Sequence, residues 1–291
     1  MRLGGGALVV LVCTGLAGPL RGQSWAPALT AIPVTARTAG LGGASSAVIG
    51  YAGSIFANPA GLAPIKLTSV EASYGQPDAR THYLMGALAA RVGALNLGGG
   101  FRYLRFEPGQ AYQDNLEAVA SVVTRIRGVA LGVSSHYWSM EDSTGVVRRT
   151  LAADLAMTVA FFDIAALAFS VQNIGRAGLG GPVVDLPSTF RIGFSLNLID
   201  SYSNGRLLAT VEQLWVDGDP VTRVGLEGGA VLSGVGLVAR IGTGSQRADS
   251  PFSNPSIGGT IVLGRGAGLD YGYLDRRDQG PLHLVGLRFT L

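Results

Sequence analysis

The stretch FRIGFSLNL, from Phe190 to Leu198, alternates strictly between large apolar residues and small or polar residues. Successive side chains of a β-strand point to opposite faces of the sheet, so this stretch has one apolar face and one polar face. The same alternation occurs in residues 129–137 and 223–232. These patterns predict amphipathic β-strands, because an amphipathic helix repeats its apolar residues every three or four positions.

About fourteen amphipathic segments follow one another between Leu67 and Leu291, an even number within the range of bacterial membrane barrels. Most of them span roughly 9–13 residues, the length that a tilted strand needs to cross a bilayer. They begin near Leu67, Tyr83, Ala94, Leu116, Val129, Leu151, Ala165, Thr189, Leu207, Thr222, Val235, Ser256, Ala267 and Leu282.

The connections between these segments alternate in length. Short connections lie near residues 92–93, 126–128, 162–163, 233–234 and 265–266, and longer ones at 75–80, 107–113, 140–148, 173–187, 243–255 and 276–280. Those at 200–205 and 217–220 depart from the alternation. A membrane barrel has tight turns at one end and long loops at the other, whereas a soluble β-sandwich or propeller does not require this. The sequence therefore predicts an all-β fold, a transmembrane antiparallel β-barrel of about 14 strands.

The composition agrees with strands that face lipid on one side. Hydrophobic residues make up 47% of the 291 residues and charged residues 14%, against about 25% charged residues in ordinary soluble domains. The chain has no run of about 18 apolar residues beyond its N-terminus, so we expect no transmembrane helix. The 22 Lys and Arg residues are spread along the chain and the net charge is only +3, so we expect no nucleic-acid partner.

Residues 1–26 have the pattern of an export signal. Arg2 precedes a short apolar core from Ala7 to Leu16, and cleavage is expected after Gly22 or Ala26. Cys13 is the only cysteine and lies inside this signal. Without a thiol in the mature chain, and with only three His, we expect no disulfide, no metal site and no cofactor. The last strand alternates up to Leu291 and resembles an outer-membrane sorting signal, so the expected location is a Gram-negative type outer membrane.

Residues 34–66 do not alternate and are rich in Ala, Gly and Ser. They are too apolar for a solvated tail, so residues 27–66 are expected to form a plug within the barrel of residues 67–291. A ring of about fourteen strands is wide enough, because about eight strands are already filled by side chains alone. The residues expected to shape this plug are its turn-forming and small residues: Gly40, Gly42, Gly43, Asn58, Pro59, Ala60 and Gly61.

Several ordered segments resemble one known family. They are residues 37–44 (RTAGLGGA), 54–62 (SIFANPAGL), 171–175 (VQNIG), 186–187 with 190–193 (LP and FRIG), 271–273 (YGY) and 287–289 (LRF). This set resembles the PorV/PorQ family of outer-membrane proteins and, more distantly, the FadL-type fatty-acid channels. The resemblance implies a fourteen-stranded outer-membrane barrel. The chain is short for the PorV/PorQ family, and its outer loops are modest where the long loops of PorV-like proteins handle cargo.

Charged residues on the polar faces of the later strands are expected to line the lumen. They are Arg191, Glu212, Arg223, Glu227, Arg240 and Arg288. Arg and Glu side chains that meet across strands neutralise one another. Such a polar track either binds the carboxylate of a fatty-acid-like ligand, or solvates the lumen and anchors the plug.

Ser134 and His136 share a strand face, as a nucleophilic triad with Asp142 as the orienting acid would require. No other feature marks this site, so the chain is expected not to be an enzyme. Three functions remain open. The PorV/PorQ resemblance implies docking of exported cargo proteins or secretion-machinery subunits, as in type IX secretion. A FadL-like passive route would instead carry small hydrophobic molecules, and a third possibility is a structural subunit of an envelope complex.

Overall fold

The computed structural model describes residues 28–106, 112–142, 144–162, 164–201, 205–232, 234–245, 254–263, 266–276 and 280–291. The expected export signal at residues 1–26, with Cys13, lies outside the described residues. Within the described ranges fourteen antiparallel strands form one closed barrel, and each strand pairs with its neighbours in sequence while β1 pairs with β14. The predicted fold class and strand number are therefore confirmed.

The strands are β1 Thr68–Asp78, β2 Thr81–Val92, β3 Leu95–Phe106, β4 Tyr112–Ile126, β5 Val129–Asp142, β6 Val147–Phe161, β7 Ala165–Gly178, β8 Thr189–Ser201, β9 Gly205–Val216, β10 Asp219–Leu232, β11 Val235–Gly244, β12 Ser256–Leu263, β13 Ala267–Leu274 and β14 Leu282–Thr290.

The connections separate two ends of the barrel. The end that contains Thr68 and Thr290 has short turns throughout, and we call it the inner end. The outer end carries the longer connections, such as residues 179–188, but the predicted long loop at Gly75–Arg80 is wrong. There β1 continues through Pro77, because a register shift between Gly75 and Asp78 accommodates a residue that lacks the N–H of a regular strand.

The outward face of the barrel is apolar over most strands. Leu131, Val133 and Leu155 are 45%, 53% and 52% exposed, and they alternate with buried residues that face the lumen. A barrel with such an outward band is stable when the band contacts lipid. In the described ranges, no helix has the length and apolar character needed to cross a membrane.

Residues 28–66, called the plug below, occupy the interior of the ring. They form 3-10 helices at Ala28–Ala31, Ala52–Phe56 and Pro59–Leu62 and one short α-helix, α1, at Ala36–Gly40. The helix α1 contacts β11–β14, whereas the second and third 3-10 helices contact the opposite wall from β1 to β6. The plug thus spans the lumen from one side to the other.

Glycine residues, which carry no side chain, allow the plug to approach the wall closely. A Cβ atom on Gly42, whose φ is +68°, would lie 2.5 Å from the backbone nitrogen of Thr243. On the opposite wall, a Cβ atom on Gly132 would lie 2.5 Å from the backbone nitrogen of Ala60. Such approaches are possible only for glycine, which explains why glycine occurs on both the plug and the strands.

The outer end of the lumen is filled by an apolar cluster. Leu29 and Val34 of the plug pack with Val184 and Leu186, which the connection between β7 and β8 carries inward. The hydroxyl of Tyr83 on β2 donates to the carbonyl oxygen of Val34 at 2.7 Å. The start of the plug and one outer connection therefore cover the barrel mouth together.

The outward apolar band leads to a prediction about stability. Val133→Arg places a charge on the lipid face of β5 and should lower the free energy of unfolding by about 2–4 kcal/mol, because the charge must leave water. The matched change Leu179→Arg, in the outer connection after β7, should cost less than about 1 kcal/mol. Denaturant titration in phospholipid vesicles, with the folded fraction read from the heat-dependent shift in gel mobility, measures both changes. Equal losses would contradict insertion of this band in lipid.

Candidate functional site

A belt of charged side chains circles the lumen. The carboxylates come from β1, β4, β6, β9, β10 and β13, and the basic groups come from β3, β5, β8, β10, β11 and β14. The members of this polar belt are Glu71, Glu117, Asp154, Glu212, Glu227 and Asp270, with Arg102, His136, Arg191, Arg223, Arg240 and Arg288. All six residues that the sequence placed on the lumen face belong to it.

Strand register brings opposite charges together. Arg102 lies directly across from Glu117, Arg223 from Glu212, Arg240 from Glu227, and Glu71 from Arg288. The alternation in the sequence predicted only the half of the belt on β8–β14. The other half was detectable by the same alternation, since Arg102 follows Asn96, Gly98 and Gly100 on one face of β3. Its pairing partners were not predictable without the register.

Three carboxylates of the belt hold the plug. Both carboxylate oxygens of Glu227 accept from the guanidinium of Arg37 at 2.8 Å, and Oε2 also accepts from Arg240 Nε at 2.7 Å. Glu212 Oε2 accepts from the backbone N–H groups of Ser45 and Ser46 at 2.8 and 2.7 Å.

Glu71 Oε2 accepts from the backbone N–H of Gly53 at 3.0 Å. Because Arg191 and Arg223 both pair with Glu212, the belt neutralises its own charges. This arrangement anchors the plug. The arginines that were candidates to bind a ligand carboxylate form ion pairs with carboxylates of the protein itself.

His136 is a member of the belt rather than a catalytic base. Its Nδ1 lies 2.7 Å from Glu117 Oε1, and its Nε2 lies 2.9 Å from Asp154 Oδ2. The hydroxyl of Ser134 is 3.0 Å from the same Nε2, as the shared strand face allows. Only a doubly protonated ring donates to two carboxylates, and such a ring has no lone pair to accept the serine proton. The side chain of Asp142, considered as the acid of a triad, lies outside the described residues.

The seven residues expected to shape the plug lie in two places. Gly40, Gly42 and Gly43 face β10–β12, where Cβ atoms would meet Gly258, Thr243 and Arg223. The residues Asn58, Pro59, Ala60 and Gly61 face the other wall, and the Gly61 N–H donates to Asn58 O at 2.9 Å.

Three neutral hydrogen bonds attach residues 56–58, the plug turn, to β6 and β7. Gln172 Nε2 donates to the carbonyl oxygen of Phe56 at 2.8 Å, and Ser170 Oγ donates to that of Ala57 at 2.9 Å. Asn58 Nδ2 donates to Thr158 Oγ1 at 2.9 Å. All donors and acceptors in this contact are uncharged, whereas Arg37, Ser45, Ser46 and Gly53 of the plug contact belt carboxylates.

Two cavities border the plug turn. The outer cavity, of about 90 Å³, extends from Asn173 and Pro187 at the outer end to Phe56 and Ala57, and its wall includes Trp138. The inner cavity, of about 220 Å³, opens toward the inner end. Small residues of the plug and of β5–β8 line it, together with Arg37, Arg125 and Arg206. The plug turn lies between them, because Phe56 and Ala57 line the outer cavity and Ala60 and Thr158 line the inner one.

No set of three or more His, Cys, Asp or Glu side chains is placed to hold a metal ion in the part of the chain that the structure describes. The fold and the site therefore define a plugged, outer-membrane type β-barrel with an internal charge belt.

Solved structures of hydrocarbon transporters share this fold. The CymD monoaromatic hydrocarbon channel aligns with a TM-score of 0.61 and 10% identity, covering 91% of this chain and 99% of CymD. The toluene transporter TbuX of Ralstonia pickettii gives 0.59 and 9%, covering 89% and 98%. The toluene transporter TodX of Pseudomonas putida gives 0.57 and 9%, covering 92% and 96%.

At such identity the likeness concerns the fold alone. No protein-family model matches the chain, and no curated protein does either. The comparisons agree with the FadL-like part of the expected resemblance at the level of the fold, and they do not show a PorV/PorQ relationship.

The polar belt leads to a second prediction about stability. Glu227→Gln keeps the shape of the side chain but leaves Arg37 facing a neutral acceptor, whereas Arg240 keeps Asp270 as a carboxylate partner. The free energy of unfolding should fall by about 3–5 kcal/mol, because the buried charge of Arg37 loses its partner. The matched change Asp185→Asn removes the partner of Arg176 at the surface, where the exposed pair at 3.2 Å should contribute less than about 1 kcal/mol. Urea titration followed by tryptophan fluorescence compares the two, and similar losses would show that the belt does not hold the plug.

Proposed function

We propose that the protein is a passive outer-membrane route for small hydrophobic molecules, in the manner of FadL-type channels. The observation that carries this proposal is the position of the plug turn between an outer and an inner cavity within the lumen. A molecule held in the outer cavity reaches the inner one when the turn moves away from β6 and β7. The toluene and hydrocarbon transport named for the structural neighbours supports the same class of substrate.

The outer cavity combines an apolar wall with charged belt residues. Ile32, Phe56, Trp138 and Leu214 line one part of it, and the belt residues Arg102, Glu117, His136, Asp154, Arg191 and Arg223 line another. Ligand sites usually combine apolar walls with fixed polar groups, and a hydrophobic molecule packs against the part formed by Phe56 and Trp138. Its volume is small in the structure, so we expect a bound molecule to displace the turn or the cluster around Leu29.

The plug turn is the part of the plug that moves most easily. Its contacts with β6 and β7 are neutral hydrogen bonds, each contributing about 0.5–1.5 kcal/mol. Elsewhere in the plug, Arg37, Ser45 and Ser46 also bind belt carboxylates, and hydrogen bonds to charged groups are roughly twice as strong. Movement confined to the turn joins the cavities without releasing the plug.

Cargo docking, which the PorV/PorQ resemblance implies, has weaker support. The outer connections at residues 79–80 and 217–218 are two-residue turns, so they offer little surface for a protein partner. Gentle affinity purification from native outer membranes, with mass spectrometry, separates the functions. A lone barrel that carries hydrophobic small molecules supports transport, whereas bound exported proteins or secretion-machinery subunits would replace it with docking.

The contacts of the plug turn lead to a prediction about the uptake of hydrophobic molecules through the barrel. Thr158→Val keeps the side-chain shape but removes the acceptor of Asn58 on the barrel wall and leaves only the Ser46 carbonyl within the plug. The population with a displaced turn should therefore rise about fivefold for a loss of about 1 kcal/mol. Uptake of radiolabelled toluene by intact cells that produce the protein measures this, and joint replacement of Asn58 and Pro59 should also increase leakage of small solutes.

Thr210→Val is the matched control, because Thr210 on β9 donates to the Phe194 carbonyl at 3.2 Å and does not touch the turn. Uptake should stay at the wild-type level in this variant. If Thr158→Val and the Asn58 and Pro59 replacement insert normally and leave permeability unchanged, the turn is not the barrier and the proposed route is wrong.

A further inference from the structure

Exposed basic side chains are concentrated at the inner end of the barrel, on the arc from β1 to β5. These rim cations are Lys66, Arg91, Arg125 and Arg127. None of them forms an ion pair with a residue in the described ranges. The segments that form this arc, residues 66–67, 91–96 and 124–129, contain no Asp or Glu. The outer end differs, because exposed acidic residues such as Asp78, Asp185 and Asp217 lie there among the basic ones.

Two of the rim cations are held in place by their own turns. Arg125 Nε donates to the carbonyl oxygen of Arg127 at 2.8 Å, and Arg91 Nε donates to that of Gly93 at 3.3 Å. Each of these bonds uses one N–H group of a guanidinium, which has further N–H groups for an external acceptor. The turns therefore hold the charges at the inner end in fixed positions.

The rim cations lie at the edge of the apolar band. The strands β2, β4 and β6 end at Val92, Ile126 and Phe161, and all three side chains are large, apolar and exposed. Arg91 directly precedes Val92, and Ile126 lies between Arg125 and Arg127. Because the band reaches the last residue of these strands, the adjacent charges are at the depth of the lipid headgroups.

Two inner turns carry a bulky residue where the backbone disfavours one. Arg127 and Phe162 have φ angles of +55° and +50°, in a region where Gly, Asn and Asp are preferred. The turn after β2 has glycine at such a position, Gly93. Phe162 is 92% exposed, so packing within the barrel does not compensate for its conformation. A contact outside the protein explains an aromatic and a basic side chain at these two positions.

We propose that the rim cations and Phe162 form a binding surface for the headgroups of anionic phospholipids. The basic groups bind the lipid phosphates, for which the arginine guanidinium supplies paired N–H donors, and the ring of Phe162 packs against the upper part of the acyl chains. An acidic soluble protein fits this surface less well. The turns at residues 93–94 and 127–128 have two residues each, so they place these side chains at the membrane surface and not beyond it.

Denaturant titration of the full-length protein in two kinds of vesicle tests the proposal. One kind contains phosphatidylcholine alone, and the other contains equal parts of phosphatidylcholine and phosphatidylglycerol. The heat-dependent shift in gel mobility reports the folded fraction and identifies variants that fold. We expect phosphatidylglycerol to raise the folding equilibrium constant of the wild type. Arg125→Gln combined with Arg127→Asn should reduce this gain about fivefold for each arginine, and Asn accepts the positive φ of the turn.

Arg80→Gln combined with Arg149→Gln is the matched control, because it removes two exposed cations near the outer end. The gain from phosphatidylglycerol should stay at the wild-type level in this variant. Equal stability of the wild type in the two kinds of vesicle, or the same gain in the rim variant and the control, would overturn the proposal.

Phe162→Trp reports where the aromatic ring lies. In vesicles whose phospholipid carries bromine near the top of the acyl chains, the fluorescence of the added tryptophan should be quenched, read as the difference from the wild type. Quenching no greater than in the wild type would place the ring in water and contradict its contact with lipid.

A soluble acidic polymer distinguishes lipid from a protein partner. If polyglutamate added to phosphatidylcholine vesicles raises the folding equilibrium constant as much as phosphatidylglycerol does, the surface binds acidic protein and the assignment to lipid is wrong. No effect of polyglutamate, together with a gain from phosphatidylglycerol that the rim variant loses, supports the lipid surface. These measurements do not involve uptake, so their outcome is independent of the proposed transport route.

Discussion

Buried carboxylates in the lumen impose the constraint on which the rest of the structure depends. Glu212 and Glu227 are almost fully buried, and a buried carboxylate without partners is strongly destabilising. Arg191, Arg223 and Arg240 supply part of the compensation from neighbouring strands. The remaining hydrogen bonds come from the plug, so the barrel wall and the plug complete each other.

The plug in turn determines which residues the wall carries. Where α1 and the following turn approach β11–β13, the strands have glycines such as Gly242, Gly258 and Gly272, because a Cβ atom there would meet plug atoms. On the opposite wall, Gly132 admits the turn at Ala60. The high glycine content is therefore explained by contacts across the lumen as well as by tight turns.

The plug is attached by different kinds of contact on the two walls of the lumen. Charged pairs hold the side near β8–β14, whereas neutral hydrogen bonds hold the turn at β6 and β7. The cavities lie on either side of that turn. In the proposed function the turn moves while the charged contacts keep the rest of the plug in place, and the outer apolar cluster around Leu29 lies above it.

The sequence alone determined the barrel, because alternation is a property of each strand and needs no partner. Val129, Ala165 and Thr189 were predicted as strand starts and are strand starts. The course of β1 through Pro77 was missed, since a bulge depends on the neighbouring strand.

Alternation also placed Arg191 and Glu212 on the inner face, but only tertiary structure decided their partners. Register pairs Arg223 with Glu212, and folding of the plug into the lumen brings Arg37 to Glu227, 190 residues away. The cavities likewise lie where the plug and the wall are not in contact. Their positions depend on how the two parts pack together, so a local sequence pattern does not predict them.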